Sequence, residues 1–168
     1  PGYIQVGDIS FSPDSISIGG PQEIVNNITF FVTEKDTVSN LIVSVDTELL
    51  IINPDKLVDF DPKKVQGFID VQPISETIVT GIPVKLINKP SDINVFVNPA
   101  TVSLTIVGGL NQITSIISTD IEVFIDFEKS WTPEKQFYSP KVRIPDSIME
   151  WKDLSPNNLE ILVIKEIN

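Results

Sequence analysis

Pro13-Asp14-Ser15-Ile16-Ser17-Ile18-Gly19-Gly20 and Pro99-Ala100-Thr101-Val102-Ser103-Leu104-Thr105-Ile106-Val107-Gly108-Gly109 are the two stretches that decide how this chain folds. Each opens on a proline, alternates apolar with small polar residues, and closes on a glycine pair. Alternation with period two puts the apolar side chains on one face of a pleated strand. After each glycine pair the apolar spacing agrees: Ile24 and Ile28 follow Gly20 at four and eight residues, and Ile113 and Ile117 follow Gly109 at the same offsets. The second copy is longer by three residues before its glycines. Self-similarity of this kind marks a repeated structural unit.

The repeat extends to the ends of the units. Pro54-Asp55-Lys56-Leu57 matches Pro145-Asp146-Ser147-Ile148, and Pro62 with Val65 matches Pro156 with Leu159. In each, a proline closes a turn and the apolar residue three positions on opens a strand. Gly81 to Pro90 reads as the exit strand of the first unit running into the second, which sets a boundary at 82/83 and gives units of 1–82 and 83–168. Further half-buried strands are read at Val65–Val71, Ile121–Phe127 and Leu159–Val163. Between Thr33 and Leu50 no counterpart of the Ile121–Phe127 strand is found. A short helical turn is read over Pro21–Asn27, where a proline suits the first helical position and Ile24 and Ile28 are four apart.

Composition agrees with strands. The 168 residues contain a single alanine, Ala100, the best helix former, while 26 Ile and 18 Val supply β-branched side chains that pack on a pleated surface. Thirteen Pro and eight Gly supply frequent turns. The expected fold class is mainly β: two small consecutive β domains, each with at most a short helical turn, arranged end to end.

The chain has no His and no Cys. That removes the usual general base, the thiolate nucleophile and the two commonest zinc ligands, and with them Ser-His-Asp, Cys-His and zinc-hydrolase chemistry. The net charge is −11, and Lys63-Lys64 is the only basic pair, so a phosphate backbone is repelled and no nucleic-acid partner is expected. Residues 1–82 carry 4 Lys against 12 Asp and Glu, a net of −8, and residues 83–168 carry the remaining −3. Apolar runs such as Leu49–Ile52 and Ile116-Ile117 fall far short of the roughly 18 residues needed to span a bilayer. The chain begins at Pro1, so an N-terminal signal or anchor is expected to have been cleaved or to lie outside it.

Candidate sites are few. Asp59 with Asp61, and Asp120 with Glu122, place two carboxylates on one strand face, but neither pair lies in a calcium-loop context and a solvated face explains both. Two carboxylates are also all a glycosidase needs, though among 23 acids such a pair arises by chance. Gly19, Gly20, Gly108 and Gly109 lack the context of a phosphate-binding loop and read as structural turns needing positive φ. Trp131, Phe137, Tyr138 and Trp151 cluster in the second unit and form the one candidate interaction surface, set against the plainer reading of aromatics capping the core under a long loop. Asn27-Ile28-Thr29 fits the glycosylation pattern by coincidence. No catalytic residue, cofactor or metal is expected.

Taken in order, the proline, the alternating Val or Ile, the glycine turn, the later Pro-x-x-Val strand and the Pro83–Pro90 junction resemble the YbbR domain. This is the extracytoplasmic repeat of the diadenylate cyclase regulator family, here as two tandem repeats. The resemblance implies a mainly β, non-catalytic protein-interaction module in a bacterial cell envelope. It also implies an N-terminal membrane segment outside this chain and a membrane-bound diadenylate cyclase as partner, hence a role in c-di-AMP signalling. The alternative is a cell-surface adhesion or carbohydrate-binding β module.

Overall fold

The computed structural model describes residues 2–91 and 93–164. The chain divides into two compact units, Pro1–Pro73 and Ile74–Asn168.

The first unit contains β1 (Tyr3–Gln5), β2 (Ser10–Ser12), β3 (Ser17–Gly19), the one-turn helix α1 (Gln22–Val25), β4 (Val45–Leu50), β5 (Asp59–Asp61), β6 (Lys64–Ile69) and the start of β7 (Val71–Ile87). Strands β2, β6 and β4 form an antiparallel sheet in that order, β3 pairs with β5, and β1 pairs with Val71–Pro73 of β7. Strict alternation in β6 turns Val65, Gly67 and Ile69 inward and Lys64, Gln66 and Phe68 outward. Gly67 is the small member of this inner row, because an added Cβ would lie 3.3 Å from the Leu49 side chain on β4. Val58, Phe60, Val65, Ile69 and Val71 are buried.

The second unit takes the rest of β7 and adds β8 (Asn94–Asn98), β9 (Thr101–Gly109), α2 (Leu110–Thr114), β10 (Glu122–Asp126), α3 (Phe127–Ser130), β11 (Phe137–Tyr138), β12 (Lys141–Arg143), β13 (Glu150–Ser155) and β14 (Leu159–Ile164). Its larger sheet has the order β12-β10-β7-β9-β13, with β10 parallel to β7 and the other neighbours antiparallel. A smaller sheet has the order β11-β14-β8. Ile82, Leu104, Ile106, Ile113, Val123, Ile125, Tyr138 and Leu159 form the centre of one continuous core.

The mainly β class, the strands read from alternation and the short helix after each glycine pair are all present. Three details differ from the sequence reading. The division falls at 73/74 rather than at 82/83, because Ile74–Val79, Ile82 and Pro83 pair with β9 and so belong to the second unit. The second unit has an additional short helix, α3, whose N-cap Asp126 accepts a hydrogen bond from the Lys129 backbone N–H. Finally, β10 is not half-buried. Phe124 and Asp126, on the face expected to be wet, are buried as well, at 6 % and 7 % exposure. The Arg143 guanidinium lies over the Phe124 ring at 4.8 Å, and Asp126 is taken up by the α3 turn.

The internal pairings of the two units share a register. Ser10↔Phe68, Phe11↔Gly67 and Ser12↔Gln66 in β2·β6 become Phe96↔Leu162, Val97↔Ile161 and Asn98↔Glu160 in β8·β14. Leu49↔Val65 in β4·β6 becomes Tyr138↔Leu159 in β11·β14. Ser17↔Asp61 in β3·β5 becomes Ser103↔Ser155 in β9·β13. These are the positions at which the sequence aligns Pro13 with Pro99 and Pro62 with Pro156.

The units also differ in content. Among the described residues, 34–44 form no strand, so the first unit has nothing in the place of β10. Only Thr33 makes an isolated bridge, to Ile51.

Candidate interaction surface

In the second unit the four candidate aromatics separate by their environment. Tyr138 is 2 % exposed, and its hydroxyl lies within hydrogen-bond distance of the Thr132 and Lys135 carbonyl oxygens, at 3.1 and 2.8 Å. It pins the 131–138 loop onto the core and offers no surface. Trp131 is half-buried, stacked on Phe127 with ring centroids 5.2 Å apart, and packed against the core. Phe137 and Trp151 are 52 % and 38 % exposed. Alternation explains the first contrast: Phe137 and Tyr138 are successive residues of β11, so one faces out and the other in. The four residues therefore do not form one exposed platform, and only Phe137 and Trp151 present substantial aromatic surface.

Two features escape aromatic counting. On the small sheet Phe96 and Leu162 are directly opposed across β8 and β14, and both are exposed, as is Ile164 two residues on. The first unit holds an open apolar cleft of about 740 Å³ lined by Phe11, Ile16, Ile18, Ile28, Phe30, Phe31, Val32, Ile51 and Val65, with Asp14 and Ser15 at its polar margin. Phe30 is 74 % exposed at this cleft. Of its aliphatic residues, Ile16, Ile18 and Val65 sit in alternating stretches found by sequence, whereas Ile28, Val32 and Ile51 do not. That they line a groove rather than a closed core has no signal in the local pattern.

One glycine of each pair serves close packing. A Cβ on Gly20 would lie 2.9 Å from the Leu57 carbonyl oxygen, and one on Gly108 would lie 2.9 Å from Ile113 Cγ2. Gly109 is the N-cap of α2 with φ −64° and Gly19 faces open space. Within the two pairs, Gly20 alone has positive φ.

Charged groups are arranged for structure. Burial alone would raise the Asp126 carboxyl, but the Asn88 side chain, the Lys129 backbone N–H and the Lys129 ammonium outweigh it and hold the group below the usual aspartate range. Lys152 on β13 donates to Glu76 on β7 at 2.7 Å, which holds its ammonium above the usual lysine range. Asp59 is lowered by its hydrogen bond from Lys63. Asp120 accepts from the Ile117 backbone N–H, and Glu122 pairs with Arg143 and Lys85. Among the described residues no group of three or more His, Cys, Asp or Glu side chains is placed to hold a metal ion. No helix among them is long and apolar enough to cross a membrane.

A relative named CdaA regulatory protein CdaR, from Bacillus subtilis (strain 168), is 23 % identical over 129 residues, which cover 75 % of this chain and 27 % of the relative. The chain thus spans about a quarter of that protein's length. No solved structure matches the chain. The family model for YbbR-like proteins matches residues 1–69, from the start of the chain through the end of β6. The likeness to YbbR-like proteins thus covers nearly all of the first unit.

Proposed function

We propose that the chain is a non-catalytic protein-interaction module, the extracytoplasmic part of a membrane-anchored regulator of a diadenylate cyclase. The similarity to a relative named as a regulatory protein carries this reading. The shared pairing register of the two units supports taking the second as another YbbR-like domain, in tandem with the first. The absence of His and Cys from the sequence agrees with contact rather than catalysis as the mode of action.

A module of this kind works by differential affinity: it shifts a cyclase only if it binds the active and inactive states unequally. Phe137 and Trp151 are the proposed contact residues, since large exposed aromatics concentrate binding energy at interfaces. The test is cyclic dinucleotide output in cells carrying the parent protein or its Trp151→Ala and Phe137→Ala variants. Each variant is first checked for unchanged thermal stability. A changed output with stability preserved supports the reading. Unchanged output from both variants, together with unchanged output on deleting residues 1–168, defeats it. Glycan-array binding lost on Trp151→Ala would favour the adhesion alternative.

A further inference from the structure

We propose that the free edge of β8 is a self-association site, where β8 pairs antiparallel with β8 of a second copy of this chain about a two-fold axis at Phe96.

The strand reads the same in both directions: Asn94-Val95-Phe96-Val97-Asn98 is a palindrome centred on Phe96. Antiparallel pairing sets a strand against its partner reversed, so this edge meets a copy of itself residue for residue. Asn94 faces Asn98 of the second copy, Val95 faces Val97, and Phe96 faces Phe96. That is the self-complementarity a two-fold interface requires.

The edge is also unprotected. β8 is an end strand of the β11-β14-β8 sheet, and among the described residues no strand pairs with its other side. Natural sheet edges are blunted by a charge, a proline, a bulge or brevity. Residues 94–98 carry no charge and no proline, and their pairing with β14 runs unbroken over all five positions. The first unit supplies the contrast. Its counterpart β2 is likewise an end strand, so the free edge is a feature of the unit. There, however, the strand is three residues long, Ser10 stands in the place of Phe96, and the same offset puts Asp8 in the place of Asn94. Only the second unit has an apolar side chain to set on the axis.

Both faces of the β8 edge are apolar. Outward, Phe96 stands opposite Leu162, and the two are 54 % and 48 % exposed. A two-fold axis normal to the sheet keeps like faces together, so pairing joins Leu162, Phe96, Phe96 and Leu162 into one row. Inward, an open groove of about 290 Å³ touches Val84 and Leu86 of β7 as well as Val95, Phe96 and Val97. Phe96 and its two neighbours point to opposite faces, so a groove that touches all three runs along the edge of the strand. Charge favours the same occupant. Apart from Lys89 in the groove the strip is neutral, and a second copy of this −11 chain joins here without setting like charges opposite each other. Five residues a side make a small interface, below about 1,200 Å² in total, and the expected Kd is on the order of 10–100 μM.

Sedimentation velocity of the 168-residue chain from about 5 μM to about 1 mM tests this. The expected result is a shift from monomer to dimer across the range, while Phe96→Glu, which opposes two carboxylates at the axis, stays monomeric. Because the chain has no Cys, introduced cysteines report the register without background. At the top of the range, Phe96→Cys forms a disulfide-linked dimer at least about tenfold faster than Asn94→Cys, which faces position 98, or Ser10→Cys in the first unit. These rates decide the matter should Phe96→Glu fail to fold. A parent chain that stays monomeric to about 1 mM overturns the proposal. A dimer that survives Phe96→Glu and cross-links no faster at 96 than at 94 also overturns it, because another surface then holds the copies together. No cyclase takes part in the experiment, so its failure leaves the regulatory reading standing.

Discussion

Truncating Leu104 and its counterpart Ile18 to alanine separates a closed core from an open one. Leu104 is 1 % exposed, within the cluster that includes Val102, Ile106, Val123 and Ile125. Leu104→Ala removes three carbons at about 0.8 kcal/mol each, about 2.4 kcal/mol of lost transfer free energy. The cavity left between paired strands raises the cost to about 3–4 kcal/mol. Ile18 lines the open cleft and is half-buried. Water already reaches it, and no sealed void forms, so Ile18→Ala costs about 1 kcal/mol. Urea unfolding followed by tryptophan fluorescence reports on the second unit, because Trp131 and Trp151 both lie there and are the only tryptophans. Its midpoint falls by about 1–2 M urea in Leu104→Ala. In Ile18→Ala the fluorescence midpoint holds, and amide peaks of residues 2–73 disappear only slightly earlier. Equal penalties at the two sites would refute the argument, since they would mean that Ile18 is already enclosed.

Other expectations follow from single contacts. Gly20→Ala destabilises the first unit by about 1–3 kcal/mol, because the obstacle to its Cβ is the Leu57 backbone carbonyl, while Gly19→Ala, facing open space, stays within about 0.5 kcal/mol; amide exchange of β5 and β6 measures both. Tyr138→Phe strips the hydroxyl from the Thr132 and Lys135 carbonyls at a cost of about 0.5–1.5 kcal/mol, read as a lower urea midpoint with faster exchange confined to residues 131–138. The Asp126 carboxyl is held below its unfolded value, so the stability it contributes is present above the unfolded pKa and is lost as pH falls through the lowered folded value. Urea midpoints of the wild type therefore drop on acidification, and Asp126→Asn, less stable at neutral pH, shows a shallower acid decline. An equally steep decline in the variant would remove Asp126 from the account.

Alternation made most strands legible, because a face that packs on a core writes a period of two into the sequence. Gly81–Pro90 misplaced the boundary for a physical reason: β7 is one strand in the chain, but hydrogen bonding along it changes partners from β1 to β9 after Pro73. Local sequence records that a segment is extended, not which neighbour it pairs with. Burial on the second face of β10 was equally hidden. Glu122 and Asp126 share with Phe124 the face that alternation reads as solvated, and Arg143 lies over Phe124 while Asn88 and the α3 turn engage Asp126. The aromatic cluster failed in the opposite way: closeness in sequence was read as a shared surface, and strand alternation sent Tyr138 inward and Phe137 outward.

The same limit explains why the cleft is invisible locally but visible by comparison. Ile16 and Ile18 have the pattern of core residues, as do Val102 and Leu104, and pattern alone assigns both sets the same burial. The difference is non-local: β9 has two partners and β3 has one. A repeat supplies what a single sequence otherwise lacks, an internal reference in which each position has been solved once already. Where the two copies agree, at Ser12↔Gln66 and Asn98↔Glu160 or Ser17↔Asp61 and Ser103↔Ser155, agreement fixes the register. Where one copy has a strand and the other an open edge, the disagreement accounts for the partial exposure of Ile16 and Ile18 beside the burial of Val102 and Leu104.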